Sequence, residues 1–133
     1  ESPTGLRVLV VEDDDLNRLT AVKLLLRLDC TAVGVQGGGE ALALLETTDF
    51  DVVLMDIQMP GMDGMEATRR IRAHGRPQVS GLFVVAVTAH ALKGDREAFL
   101  GSGMDGYLAK PVDMDELRAM LAKAGKGRVV SSK

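Results

Sequence analysis

The 133-residue sequence has one cysteine, four aromatic residues and no tryptophan. A single cysteine excludes an intramolecular disulfide and a zinc site built from several cysteines, so a reducing compartment is expected. The formal net charge of -3 provides no basic stripe for nucleic-acid phosphates, and so few aromatic rings leave little for stacking on bases. No apolar run approaches the roughly 20 residues that cross a bilayer. The composition therefore predicts a cytoplasmic domain that binds neither nucleic acid nor membrane directly.

The length suits one domain, and 46% hydrophobic residues are enough for a real core. The beginning of the chain lacks the basic and then apolar pattern of a signal peptide. Because the chain begins with Glu rather than Met, we interpret residues 1–5 as a linker or as the remnant of a longer polypeptide. We expect residues 6–124 to form the folded domain and residues 125–133 to form a flexible tail.

Short β-branched apolar runs alternate with helical patterns, which predicts βα units and a parallel sheet covered on both faces. The predicted strands are Leu6–Val11, Thr31–Val35, Asp51–Met55, Leu82–Thr88 and Gly106–Ala109. The predicted helices are Asp15–Leu28, Gly39–Thr47, Gly64–His74, Lys93–Leu100 and Asp113–Ala124. Asp15 is predicted to cap the first helix, and Asp113 with Glu116 the last. Five βα units result.

Polar residues stand at the carboxyl ends of four of the predicted strands. They are Glu12 with Asp13, then Asp56, Thr88 and Lys110. Ligands of an open parallel sheet bind outside the carboxyl ends of its strands, so a doubly wound fold would bring these groups to one edge. Two carboxylates about 4 Å apart repel by about 4 kcal/mol at an effective dielectric constant near 20, and a cation would relieve that repulsion. The sequence therefore predicts a site for Mg²⁺, with Mn²⁺ as an alternative.

The same groups suit phosphoryl transfer. Lys110 could neutralise one phosphoryl oxygen, Thr88 could donate a hydrogen bond to another, and the metal could bridge a third. Asp56, at the end of a central apolar strand, could attack phosphorus and form an acyl phosphate.

At these residues the chain resembles the receiver domain of two-component response regulators, over Leu6 to Ala124. The resemblance rests on VLVVEDDDLNR, DVVLMDIQMPGMDGMEATRRIR and VVAVTAHALKGDREAFLGSGMDGYLAKPV, and on the spacing between them. It implies an α/β fold, a flavodoxin-like doubly wound (βα)5 sandwich with a five-stranded parallel sheet in the order 2-1-3-4-5.

The resemblance also implies a role for each residue. Asp56 would be the phosphoacceptor, taking its phosphoryl group from a phosphohistidine. Asp13 would bind Mg²⁺ directly, Glu12 mainly through water, and Gln58 through its backbone carbonyl. Lys110 would pair with the phosphoryl group, next to a cis Lys110–Pro111 bond.

Two further positions would convert phosphorylation into a changed surface. The Thr88 hydroxyl would shift toward the phosphoryl group, and the Tyr107 ring would swing inward to fill the space that it leaves. The acidic pair is Glu-Asp, whereas Asp-Asp is commoner in the family.

Finer motifs, LNR, DIQMPGMDG, EATRRIR and GMDGYLAKPV, are similar to the receivers of hybrid sensor histidine kinases. This implies that the domain accepts phosphate from a histidine kinase core and passes it to a histidine phosphotransfer domain. It would act in the cytoplasm, either as a free protein or as part of a membrane-bound sensor kinase. It would promote its own phosphorylation and dephosphorylation, yet serve as a signalling switch.

Other interpretations stay open. One is a standalone response regulator that acts through protein contacts, and another is a degenerate receiver that only docks proteins. A third is a haloacid-dehalogenase-type phosphatase with Asp13-x-Asp15 as its motif, although it leaves Asp56 without a role.

An EF-hand loop is excluded. Its opening matches Asp13, Asp15 and Asn17, but Arg18 and Leu24 replace its required Gly and Glu. Three leucines of the predicted first helix are either core residues or a docking surface for a partner helix. They are Leu16, Leu19 and Leu26.

Overall fold

A computed structural model describes residues 5–89 and 93–131 of the chain, with side chains for 5–89 and 97–125. Its strands are β1 (Arg7–Val11), β2 (Thr31–Val35), β3 (Val52–Asp56), β4 (Phe83–Thr88) and β5 (Gly106–Ala109). All neighbouring strands are parallel, in the order β2-β1-β3-β4-β5. The predicted flavodoxin-like, doubly wound fold is therefore confirmed.

Helices cover both faces of the sheet. They are α1 (Asp15–Arg27), α2 (Gly38–Leu45), α3 (Gly64–Arg72), α4 (Pro77–Ser80), α5 (Lys93–Gly101) and α6 (Met114–Ser131). Successive strand residues point to opposite faces, so Val8 and Val10 pack with α1 and α6 while Leu9 and Val11 pack with α2, α3 and α5. None of the described helices is long and apolar enough to cross a membrane.

The cap of α1 and one short helix differ from the sequence prediction. Asp14, not Asp15, caps α1, since its carboxylate accepts a hydrogen bond from the Asn17 backbone N–H at 2.8 Å. With three consecutive aspartates, the capping residue depends on where the chain leaves β1. The short helix α4 was not predicted, because four residues are too few to show a helical period.

The last helix begins next to Asp113, as predicted, but continues past Ala124 to Ser131. The Asp113 carboxylate accepts the Glu116 backbone N–H at 3.0 Å. The predicted helix ended at the last apolar residue that packs on the sheet. Once a helix has formed, each added residue contributes one more hydrogen bond, so the helix can continue beyond that residue. The predicted tail therefore begins as helix. Residues 1–4 and 132–133 lie outside the described residues.

The register of the sheet brings the polar strand ends together. Val11 pairs with Met55, Asp56 with Val87, and Thr88 with Ala109. Because β1, β3, β4 and β5 end at nearly the same level, Glu12, Asp56 and Lys110 meet at one edge of the sheet. β3 lies in the middle and is buried along its whole length, and its last residue is Asp56.

Candidate functional site

Asp56 is a nearly fully buried carboxylate, with 2% of its surface exposed. Its Oδ1 accepts a hydrogen bond from the Gln58 backbone N–H at 3.2 Å and lies 3.2 Å from Lys110 Nζ. Its Oδ2 is buried and has no hydrogen-bond partner among the described residues. A buried acceptor without a partner costs about 1–3 kcal/mol, and more when it is charged, so this oxygen is arranged to receive something from outside the chain.

Glu12 shares the same lysine. Lys110 Nζ lies 3.0 Å from its Oε1, and its Oε2 accepts the Asp14 backbone N–H at 3.2 Å. The Lys110–Pro111 bond is cis, as the resemblance implied. One ammonium therefore faces two buried carboxylates, which leaves a net negative charge in the pocket.

Asp13 adds a third carboxylate from the exposed side. One oxygen each from Glu12, Asp13 and Asp56 lies within 4.8 Å of the others. Three carboxylate oxygens with an open side for water are the hard ligand set that Mg²⁺ and similar cations prefer. Together with the unpartnered Asp56 Oδ2, this donor set fits the predicted cation.

The pKa of Asp56 is raised to about 6. Burial is the largest cause, followed by the negative charge of Glu12, and Lys110 offsets only part of the effect. Burial lowers the pKa of Lys110, but its contacts with Glu12 and Asp56 outweigh burial and raise the pKa above its ordinary value. Lys110 therefore remains a cation here, while Asp56, with its pKa at about 6, keeps its proton to a higher pH than an ordinary aspartate does.

Gly64 allows the start of α3 to pack against the backbone of Asp56 and Ile57, a role that was not predicted from the sequence. Its N–H donates to the Ile57 carbonyl at 3.1 Å. A Cβ atom at position 64 would collide with the Asp56 carbonyl oxygen. Asp63 caps α3 just before it by accepting the Glu66 N–H at 2.8 Å. The Asp63-Gly64 dipeptide at a helix start was the available signal, but local sequence does not show which strand the helix will touch.

Thr88 and Tyr107 lie on the same face of the sheet. Tyr107 pairs with Ala86, two residues before Thr88. Thr88 is buried, while Tyr107 is half-buried against the core cluster that α2, α3 and α5 cover. The Thr88 carbonyl accepts the Lys110 N–H at 2.8 Å, so the hydroxyl residue and the lysine belong to neighbouring strand ends.

Fold and site together define a doubly wound α/β domain with an acidic, lysine-containing pocket at the carboxyl edge of its sheet. Residues 8–122 match the family described as the response regulator receiver domain. The chain therefore belongs to the receiver domains of two-component signalling.

Relatives of the chain include sensor kinases. The chain is 43% identical over 118 residues to the sensor protein GacS of Pseudomonas syringae pv. syringae, an alignment that covers 88% of this chain and 13% of GacS. It therefore spans a small part of that relative's length. The predicted likeness to receivers of hybrid sensor kinases is confirmed.

Solved structures of receiver domains are similar to the structure of this chain. The receiver domain of a sensor histidine kinase from Pseudomonas aeruginosa PAO1 superposes with a TM-score of 0.82 at 37% identity, over 92% of this chain and 99% of the other, and holds a magnesium ion coordinated in its active-site cleft. A second structure is the receiver domain of the Saccharomyces cerevisiae response regulator Ssk1, solved with the histidine phosphotransfer protein Ypd1. It superposes with a TM-score of 0.83 at 26% identity, over 94% of this chain and 92% of the other.

Family membership decides against the haloacid-dehalogenase interpretation, and the structure provides the physical reason. Asp15, the second aspartate of that motif, is 85% exposed on α1 and pairs with Arg18 instead of facing the pocket.

Proposed function

We propose that the domain is a Mg²⁺-dependent phosphoacceptor in which Asp56 takes a phosphoryl group from a phosphohistidine. The observation that carries this proposal is the buried Asp56 Oδ2, which no described group engages, in a cluster of three carboxylates. In the reaction a carboxylate oxygen of Asp56 forms the bond to phosphorus as the phosphorus–nitrogen bond breaks. The imidazole leaves with the electron pair and takes up a proton.

We assign the remaining residues as follows. Asp13 binds the cation directly, Glu12 acts mainly through water, and the Gln58 backbone carbonyl is a further ligand. A bound Mg²⁺, or Mn²⁺ in its place, supplies charge neutralisation for the incoming phosphoryl oxygens. Lys110 Nζ, already 3.2 Å from Asp56 Oδ1, is placed to move onto a phosphoryl oxygen.

Thr88 and Tyr107 are the proposed switch. Once Asp56 carries a phosphoryl group, the Thr88 hydroxyl donates a hydrogen bond to it. The Tyr107 ring, on the same face of the sheet, then moves inward toward the space that Thr88 leaves. The surface formed by β5 and its neighbours changes as a result.

As partners we propose a histidine kinase core and a histidine phosphotransfer domain, between which the domain relays phosphate. Its similarity to sensor kinases favours a place within such a kinase, on the cytoplasmic side, over a standalone response regulator. The Ssk1 receiver in complex with Ypd1 supports the second partner.

Incubation of the chain with acetyl phosphate tests the proposal. We expect one phosphoryl group per chain with Mg²⁺ and none after removal of the metal with EDTA, as measured by intact-mass spectrometry. Peptide mapping should place the group on Asp56. An unmodified chain at saturating Mg²⁺, or a modification that persists in EDTA, would contradict the proposed function.

The exposed leucines of α1 are the proposed contact with the phosphotransfer domain. Leu16, Leu19 and Leu26 are 70%, 50% and 54% exposed. The first two belong to the beginning of α1, the helix that follows the loop with Glu12 and Asp13. Leu19→Glu should slow phosphotransfer from a phosphorylated histidine phosphotransfer domain by about 10-fold or more, because a charge replaces an apolar contact.

The same variant should react with acetyl phosphate at the wild-type rate, since a small donor needs no docking surface. Leu100→Glu, at a leucine of similar exposure on α5, is the matched control and should leave both rates unchanged. Equal phosphotransfer rates for the two variants would locate the contact elsewhere.

A further inference from the structure

Arg18 extends from the first turn of α1 back to the loop that carries the acidic pair. Its Nη1 donates a hydrogen bond to the backbone carbonyl oxygen of Glu12 at 2.9 Å, and its Nη2 pairs with Asp15. The Arg18 side chain is only 19% exposed, in contrast to the neighbouring Leu16 and Leu19. The guanidinium is therefore held against the loop and not in solvent. The sequence alone shows Arg18 only as the residue that excludes an EF-hand loop.

Gly34 on β2 makes room for this side chain. A Cβ atom at position 34 would lie 2.9 Å from Cγ and 3.0 Å from Cδ of Arg18, closer than carbon atoms pack. A side chain at Gly34 would therefore push the arginine stem off the sheet. The Arg18 side chain of α1 can therefore take this direction because β2 has a glycine at position 34.

The carbonyl oxygen that Arg18 holds belongs to the peptide between Glu12 and Asp13. A peptide unit is planar, so a contact that fixes this oxygen also fixes the orientation of the whole peptide plane, which includes the N and Cα atoms of Asp13. The rest of the loop is held by the Glu12 N–H, which donates to the Val35 carbonyl at 3.0 Å, and by the Asp14 N–H, which donates to Glu12 Oε2. The direction of the exposed Asp13 carboxylate therefore depends on this backbone.

A cation at position 18 is unfavourable for local reasons. The first turn is the positive end of the helix dipole, where acidic side chains are preferred. A positive charge beside the carboxylates also repels any cation that binds them. Residues that break a local rule in this way are expected at functional sites, where another gain compensates.

We propose that Arg18 is a positioning residue of the metal site. It holds the Glu12–Asp13 peptide so that the Asp13 carboxylate meets the cation together with Asp56, and it thereby increases the affinity for Mg²⁺ despite its own charge. This inference rests on the proposed function, which makes Asp13 a metal ligand.

Calorimetric titration of the 133-residue chain with Mg²⁺ tests this inference. Arg18→Met keeps an unbranched stem over Gly34 and removes the donors. The Kd for Mg²⁺ should rise about 10-fold, the usual scale for loss of a group that orients a metal ligand. Removal of a positive charge alone would have the opposite effect and lower the Kd, so the direction of the change distinguishes the two explanations.

Three further variants sharpen the test. Arg27→Met removes one positive charge from the last turn of the same helix and should leave the Kd unchanged. Gly34→Ala leaves Arg18 intact but displaces its stem, so the Kd should rise as well, by a smaller factor. Arg18→Lys retains one donor for the Glu12 carbonyl and should recover part of the affinity. Circular dichroism spectra identical to the wild type establish that each variant is folded.

Phosphorylation by acetyl phosphate provides a second measurement. In Arg18→Met the Mg²⁺ concentration for half-maximal rate should rise in parallel with the Kd, while the rate at saturating Mg²⁺ stays at the wild-type value. A Kd for Arg18→Met equal to or below that of the wild type would overturn the inference alone. If the wild type does not bind Mg²⁺, or Asp13→Asn binds it equally well, the proposed function itself fails.

Discussion

Asp56→Asn should abolish phosphorylation and at the same time stabilise the fold. The amide has no negatively charged oxygen to attack phosphorus, so no acyl phosphate forms with acetyl phosphate and Mg²⁺ at any concentration. The shape of the side chain is retained, and Lys110 and the Gln58 N–H can still contact the amide oxygen. Intact-mass spectrometry measures the loss. A phosphorylated Asp56→Asn chain would show that another residue is the acceptor.

The gain in stability follows from the pKa of Asp56, which the fold raises from about 4 to about 6. The native state therefore binds this proton more tightly than the unfolded state does. Its stabilising effect is fully present below about pH 4 and is lost as the pH rises through 6. At pH 7 and above, the ionised carboxylate costs about 2–3 kcal/mol, which the neutral amide avoids.

Urea unfolding at several pH values measures this difference. Without Mg²⁺, Asp56→Asn should exceed the wild type in unfolding free energy by about 2 kcal/mol at pH 7.5 and by little at pH 4. Mg²⁺ should reduce the difference at pH 7.5, because it stabilises the wild-type carboxylate. Asp115→Asn, at an 87% exposed aspartate of α6, is the matched control and should change stability little at either pH. A gain that does not vary with pH would contradict this explanation.

Lys110→Met should slow phosphorylation by acetyl phosphate on the order of 100-fold at saturating Mg²⁺. Loss of one charged donor to a developing phosphoryl charge has about this effect in enclosed sites. Lys110 Nζ lies 3.0 Å from Glu12 and 3.2 Å from Asp56, and among the described residues no other basic side chain forms an ion pair with these two carboxylates.

Mg²⁺ affinity should change in the opposite direction in this variant. Once the ammonium is absent, the carboxylates attract a divalent cation more strongly, so the Kd for Mg²⁺ should fall. Lys123→Met, at an exposed lysine of α6, should leave both the rate and the Kd unchanged. A variant that loses Mg²⁺ binding and phosphorylation together would indicate that Lys110 maintains the structure of the loop and is not a group for the phosphoryl oxygens.

Much of the site was predictable, because its residues lie at the ends of strands. Each strand is a local pattern of apolar residues, and the polar residue that follows it can be read from the same few positions. This is why the sequence predicted that Glu12, Asp56, Thr88 and Lys110 lie at one edge of the sheet. Gly64 and Arg18 were not, because their roles depend on contacts with strands that are distant in sequence or on the direction of one side chain.

The limits of helices were less predictable than their presence. Among Asp13, Asp14 and Asp15, any could cap a helix by residue type, and only the path of the chain after β1 selects Asp14. The end of α6 was placed too early because the apolar pattern records where a helix packs and not where its hydrogen bonds stop.

The sequence by itself determined the fold class, the acidic pocket at the edge of the sheet and the family, because alternation of apolar runs and the strand-end motifs are local properties. Only the tertiary structure decided which described carboxylate oxygen is buried without a partner, how one lysine is shared between Glu12 and Asp56, and that Arg18 packs over Gly34 and contacts the Glu12 carbonyl. These features depend on distances between residues far apart in the chain, and such distances are set only when the sheet and its helices pack together.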